Sequence, residues 1–256
     1  MSNPHTTSST ARVPDGHAHR VAVVVPAAGL GRRLGDQGPK ALVKLAGRPL
    51  LAWALADLEA SACVSAVVVS THPGAMPAVR ELLAGAAFPK VHDVVTGGDT
   101  RQQSVAAGLA ALPPDCDYVA VHDAARPLAG PGLLDQLIAL LVTDPEGVSG
   151  VVPGCPVTDT IREVDGIGRS KGIVDRDRLR GMQTPQLFVR EVLERAHKLA
   201  QRDNVDATDE AALVERAGES IKVVPGPVEN LKVTTMLDLI VAEAILARRA
   251  GAWDGQ

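Results

Sequence analysis

Along this chain, short runs that are apolar at nearly every position alternate with stretches whose apolar residues recur at helical spacing. Val21–Val25, Ala66–Ser70, Val91–Val95, Tyr118–His122 and Val148–Val152 are of the first kind and are predicted as strands. Pro49–Ala60, Met76–Ala84, Gln102–Leu112 and Gly132–Val142 are of the second kind and are predicted as helices. A strand with one wet face alternates apolar and polar residues. VAVVV and AVVVS do not, so both of their faces must be covered, as in a parallel sheet between layers of helices. The pattern predicts an α/β fold, a Rossmann-like, mostly parallel sheet flanked by helices. Ligands in such sheets bind beyond the carboxyl ends of the strands.

The alternation breaks at Pro156. Residues 157–179 mix polar and apolar positions around a D-G and an I-G turn, which predicts an exposed β-hairpin that projects as an arm. A lone hairpin is marginal in water, so the arm is expected to pack on something, such as a second subunit. Arg190–Gln201 and Asp209–Ala217 are then predicted as helices, Ile221–Val224 as a strand and Thr235–Arg249 as a closing helix. Thr235 and Asp238 have the spacing of a capping box at its start. The expected organisation is one domain over residues 21–250, preceded by a polar, disordered tail over 1–20.

Charge and composition narrow the function. The net charge of −4 and an aromatic content of 2% argue against a nucleic-acid binder, which needs a basic excess or stacking rings. No window approaches the roughly 18 apolar residues of a membrane span, and residues 1–20 lack the apolar segment of a secretory signal. A cytoplasmic location is expected, with no membrane partner. Cys63, Cys116 and Cys155 match no metal or redox spacing and are expected as buried free thiols. The pairs His122–Asp123 and His92–Asp93 lack the further ligands of a metal phosphohydrolase.

The candidate chemistry begins in the stretch VAVVVPAAGLGRRLGDQGPK, residues 21–40. A buried strand runs into a glycine turn and then into cations. Without a Cβ, Gly29 and Gly31 let backbone N–H groups reach a phosphate oxygen, while Arg33 and Lys40 add full positive charge. The Walker pattern fails, because Gly35 is followed by Asp36 and Lys40 by Ala41. The dinucleotide fingerprint fails at its third glycine, where Leu34 stands.

What remains, A-A-G-x-G-x-R with a P-K pair ending seven residues after the arginine, resembles the nucleotide loop of nucleotidyltransferases. Further stretches narrow the resemblance: GGDTRQQSVAAGL from Gly97, VHDAARP from Val121, PVTDTI and VDRDRL in the hairpin, TPQLF from Thr184, DATDEAALVE, and ENLKVTT. Together they resemble the 2-C-methyl-D-erythritol 4-phosphate cytidylyltransferase family of the non-mevalonate isoprenoid pathway, over Val21 to Ala247.

The resemblance implies a fold of the nucleotide-diphospho-sugar transferase type and a reaction of CTP with methylerythritol phosphate that releases pyrophosphate. It implies Mg²⁺ carried mainly by the CTP phosphates, with no dedicated protein metal site, and a homodimer formed through the arm. Pro26, Ala27, Ala28, Gly29 and Gly31 would line the cytidine and phosphates. Gly98, Asp99 and Ser104 would read the cytosine edge, with Arg101 ordering their turn. Asp123 would reach ribose or substrate hydroxyls and the metal region, with Ala124 packed near the ribose. Arg126 and Thr184 would face the methylerythritol moiety, and Thr160 and Arg176 of a partner's arm would bind its phosphate. Arg33, Lys40 and Lys232 would carry the catalysis. Taken alone, Ser104 reads as a helix-surface serine, and Thr160 and Arg176 as solvated hairpin residues. Two rivals stand beside this reading. One is a ribitol-5-phosphate or other sugar-phosphate cytidylyltransferase. The other is a nucleotide sensor, which would not need Arg33, Lys40 and Lys232 together.

Overall fold

The computed structural model describes residues 19–34, 38–86 and 88–251. The expected tail, apart from its last two residues, lies outside them. The expected strands are present as β1 (Val21–Ala27), β4 (Val64–Thr71), β5 (Val91–Thr96), β6 (Tyr118–Val121), β7 (Gly150–Pro156) and β12 (Ile221–Pro225). Between and after them lie α1 (Leu50–Ala60), α2 (Met76–Ala84), α3 (Arg101–Ala110), α4 (Gly132–Val142), α5 (Arg190–Arg202), α6 (Glu210–Arg216) and α7 (Met236–Arg249). Four of the strands run β5-β4-β1-β6 in parallel register.

The sheet is mostly parallel, as expected, and its antiparallel members are two short strands that the sequence pattern did not predict. β10 (Arg180–Met182) and β11 (Gln186–Val189) run against their neighbours. β11 lies between β6 and β7, and β12 then pairs with β7 in parallel. β11 has four residues and enters α5 with no loop between them, so its apolar run is indistinguishable from a helix start. A small ribbon of β2 (Lys44–Leu45) and β3 (Arg48–Pro49) was likewise unforeseen; Ala46 and Gly47 turn it with φ of 48° and 78°.

The all-apolar strand β1 has a direct explanation. Val21, Val23 and Val25 belong to a core packed under α1, α2 and α4, while Ala22 and Val24 belong to a second core under α3, α5 and α6. A polar residue at any of these positions would be buried without a partner. A third core gathers Leu34, Val43, Leu45, Leu128, Val233 and Leu239. Its members flank the glycine turn, the segment after Arg126, and Lys232, so one patch of buried apolar surface fastens three cation-bearing segments together. Each fully buried Leu or Val there contributes about 1.5–3 kcal/mol to holding them.

The arm forms its own two-stranded sheet of β8 (Ile161–Val164) and β9 (Ser170–Val174). The Thr235–Asp238 capping box at the start of α7 is present. Cys63, Cys116 and Cys155 are free, although Cys116 alone of the three is fully buried. Among the described residues no helix is long and apolar enough to cross a membrane.

Candidate active site

A cleft of about 220 Å³ opens beyond the carboxyl ends of β1, β5 and β6. Its first wall is the glycine turn. Gly31 has φ of 68°, and a Cβ there would come within 3.0 Å of Lys40 Cβ, so both backbone and packing call for glycine. Lys40 N–H donates to Gly29 O at 3.1 Å, which folds the segment back and sets Lys40 over the turn. Burial, with Lys232 and Arg33 nearby, pushes the Lys40 ammonium down to about 8.

The second wall is the turn after β5. A capping box starts α3: Gln103 N–H donates to Thr100 Oγ1 at 3.1 Å, and Gln103 Oε1 accepts from Asp99 N and Thr100 N at 2.8 and 3.2 Å. Ser104 Oγ accepts from Gly98 N at 3.1 Å and donates to Thr100 O at 3.0 Å. A Cβ on Gly98 would lie 2.4 Å from Gln103 Cβ. Ser104 is buried, so it is not the surface serine that its position on a helix suggests. The turn therefore presents fixed backbone groups, a rigid edge against which a base can be read.

The third wall follows β6. Asp123 is buried, and both of its oxygens are engaged: Arg101 Nε donates to Oδ1 at 3.0 Å and Lys232 Nζ reaches Oδ2 at 2.6 Å. These two cations outweigh burial and hold the Asp123 carboxyl far below the usual range. Arg101 closes its remaining fork on Glu210, with two bonds of 2.9 Å. Val233 N–H donates to Ala125 O at 2.8 Å, which ties the Lys232 segment to the loop carrying Asp123.

Of the residues singled out from the sequence, Pro26, Ala27, Ala28, Gly29, Lys40, Gly98, Asp99, Arg101, Ser104, Asp123, Ala124 and Lys232 line this one cleft. Gly31 shapes it from behind, and Arg33 is exposed beside it, close enough to act on Lys40. Thr184 is buried below: its hydroxyl accepts from Asp123 N at 2.9 Å and bonds His122 Nδ1 at 3.1 Å, so its observed partners point inward. Arg126 also turns inward, donating to Met182 O at 2.9 Å and Asn230 O at 2.6 Å. Thr160 and Arg176 are exposed near the base of the arm and do not line the cleft of their own chain. His92 and Asp93 are exposed on β5. Glu210 and Asn230 join the site unannounced. DATDEAALVE and ENLKVTT contain them, but nothing in those stretches marks either as buried; their burial comes from α6 and the 230–235 loop folding back onto the sheet.

Burial keeps His122 and His197 neutral, each pushed down to about 4 from 6.5. A folded pKa below the unfolded one means that protonation favours unfolding. Their support is complete above about pH 6.5 and is lost as pH falls toward 4, a few kcal/mol in all. The urea midpoint is expected to drop steeply across that window, and H197Q to flatten the drop. An unchanged slope in the variant would show that His197 is not held neutral.

Comparison with known proteins follows the same lines. A family model described as 2-C-methyl-D-erythritol 4-phosphate cytidylyltransferase matches residues 21–248. A protein of that name from Streptomyces avermitilis is 46% identical over 244 residues, covering 92% of this chain and 95% of its own. One from Synechocystis is 40% identical over 228 residues, covering 89% and 97%. Among solved structures, the 2-C-methyl-D-erythritol 4-phosphate cytidylyltransferase from Thermus thermophilus superposes with a TM-score of 0.70 at 35% identity, covering 90% of this chain and 99% of that one. The 4-diphosphocytidyl-2C-methyl-D-erythritol synthase from Anaerococcus prevotii gives 0.79 at 25% identity, covering 90% and 97%.

Proposed function

The chain belongs to the 2-C-methyl-D-erythritol 4-phosphate cytidylyltransferase family, and from that premise we propose how its cleft joins CTP to 2-C-methyl-D-erythritol 4-phosphate, giving 4-diphosphocytidyl-2-C-methyl-D-erythritol and pyrophosphate for isoprenoid synthesis. The observation that carries the proposal is the convergence of Lys40 and Lys232 on a glycine turn that faces a rigid, backbone-lined edge. The substrate phosphate is already ionised near neutral pH, so no general base and no enzyme nucleophile are needed. One of its oxygens attacks the α-phosphorus in line with departing pyrophosphate. Two anions must approach each other, and charge builds on the non-bridging oxygens. Fixed cations offset both, and Arg33, Lys40 and Lys232 take that role. Gly98, Asp99 and Ser104 receive the cytosine edge, and Ala27 to Gly29 lie against the first phosphate.

The donor set suits Mg²⁺ delivered on the nucleotide. Asp99 and Asp123 are the carboxylates lining the cleft, and Mg²⁺ draws most of its ligands from phosphate and water. Both Asp123 oxygens already take Arg101 and Lys232, so Asp123 would border the ion beside Asp99 rather than serve as its main ligand, and when bound the ion would neutralise charge on the triphosphate oxygens. A cytoplasmic homodimer is part of the same proposal. The arm exposes Val164, Ile167 and Ile173 at 55, 75 and 67%, apolar surface that a second copy would cover. Its Thr160 and Arg176 then bind the substrate phosphate in the partner's cleft. R176A is expected to raise KM for methylerythritol phosphate about tenfold or more with little change for CTP, since one guanidinium–phosphate contact is lost. Equal effects on both substrates would count against the shared site. Pyrophosphate release from CTP with methylerythritol phosphate, and not with ribitol 5-phosphate, tests the reaction itself. Preference for ribitol phosphate would transfer the assignment to that substrate, and no release with either would leave a sensor.

A further inference from the structure

The proposed reaction makes no use of Glu210, yet this carboxylate is 1% exposed in the first turn of α6. Burying such a charge costs several kcal/mol unless its partners are well placed. They are: Oε1 and Oε2 accept from Arg101 Nη1 and Nη2 at 2.9 Å each. That end-on fork consumes the outer edge of the guanidinium. Arg101 then reaches Asp123 Oδ1 through Nε alone, at 3.0 Å, and Asp123 Oδ2 takes Lys232 Nζ at 2.6 Å. Glu210, Arg101, Asp123 and Lys232 thus form a line of alternating charge that sums to zero. The far end of the line is anchored. Asp209 caps α6 through Ala212 N at 3.1 Å, and Gln186 on β11 donates to Asp209 Oδ2 at 2.9 Å.

We propose that Glu210 is a positioning residue for Lys232, acting through Arg101 and Asp123; this rests on the reading that Lys232 works on the reacting phosphates. A guanidinium has a second edge, Nε with one Nη, that matches both oxygens of a carboxylate. Released from Glu210, Arg101 can swing that edge fully onto Asp123 and evict the Lys232 ammonium from Oδ2. With Glu210 in place, Arg101 is confined to one oxygen and Lys232 keeps the other. Glu210 also offsets the charge of Arg101, so Lys232 does not face an uncompensated cation across Asp123.

The test is steady-state kinetics with CTP and methylerythritol phosphate on E210Q, R101Q and the double variant E210Q/R101Q. Loss of the Asp123 anchor of Lys232 misplaces a charge that acts at the transition state, so kcat of E210Q is expected to fall about tenfold or more, with each KM within about threefold. Because Glu210 acts only through Arg101, the double variant is expected to match R101Q. E210D, which keeps the charge, is expected to recover part of kcat. An unchanged kcat in E210Q, a loss confined to KM, or losses that multiply in the double variant would overturn the proposal while leaving the reaction standing. If E210Q does not fold, E210D serves instead. A carboxylate one methylene shorter cannot hold both Nη atoms where they stand, so part of the kcat loss is required, and a normal kcat there overturns the proposal. A wild-type enzyme without pyrophosphate release would overturn both readings together.

Discussion

Lys40→Ala is expected to lower kcat at saturating CTP about a hundredfold or more, the cost of removing one donor to transition-state charge. The same change is expected to leave Tm unaltered or slightly raised. Lys40 sits among like charges, with Lys232 and Arg33 near it, and burial already opposes its ionisation. Removing that ammonium relieves repulsion, and alanine keeps the Cβ that packs against Gly31. A group that is costly to the fold and valuable to the reaction is what a site organised around approaching anions requires. The pH dependence carries a sign. With the ammonium near 8 in the free enzyme, kcat/KM for CTP is expected to fall as pH rises above about 8. Bound triphosphate favours the charged form, so the alkaline limb of kcat lies higher. K40R, charged at any accessible pH, is expected to lose the limb at 8 whatever its absolute rate. A near-normal kcat in K40A, or an unmoved limb in K40R, would take Lys40 out of this role.

The layout of the fold was legible because one physical fact governed it: strands covered on both faces cannot carry polar residues. VAVVV and AVVVS state that directly, and the helices between them follow from their spacing. Much of the cleft was legible for a related reason. Gly29, Gly31, Gly98 and Asp123 lie in the turns that follow β1, β5 and β6, where chain order already places a ligand, and Lys40 comes later in the segment after β1. The antiparallel strand β11 was not legible, since QLFV fits a strand or a helix start equally well. Nor was the burial of Glu210 and Asn230, because it depends on segments about a hundred residues from Arg101 and Arg126 folding back over the same strand ends. Thr184 shows the limit from the other side. TPQLF marks where it sits, but the inward bonds of its hydroxyl to Asp123 and His122 exist only in three dimensions.

Among single substitutions, a large effect on stability is expected away from the cleft, at Gly150. It stands opposite Phe188 where β7 pairs with β11, and a Cβ there would lie 2.3 Å from Phe188 Cδ1 and 3.0 Å from Leu187 O. Phe188 is fully buried in the core under α3, α5 and α6, so its ring has nowhere to retreat. Gly150→Ala should gain about 0.4–1 kcal/mol from a stiffer unfolded chain and lose about 1–3 kcal/mol or more to overpacking. The contact is shorter than van der Waals packing tolerates, so the loss wins, by about 2 kcal/mol. For a chain of this size that corresponds to roughly 4–8 °C in Tm. Removing the ring should release the strain: G150A/F188L is expected to be more stable than the sum of its single variants predicts. Strict additivity would show that the ring does not bear on the glycine. The consequence also reaches the cleft. Phe188 lies two residues from Gln186, which holds the start of α6, and four from Thr184, which holds the Asp123 backbone. A sheet that cannot close at Gly150 therefore loosens both supports of the charge line between Glu210 and Lys232, and kcat of the folded fraction of G150A is expected to fall along with its Tm.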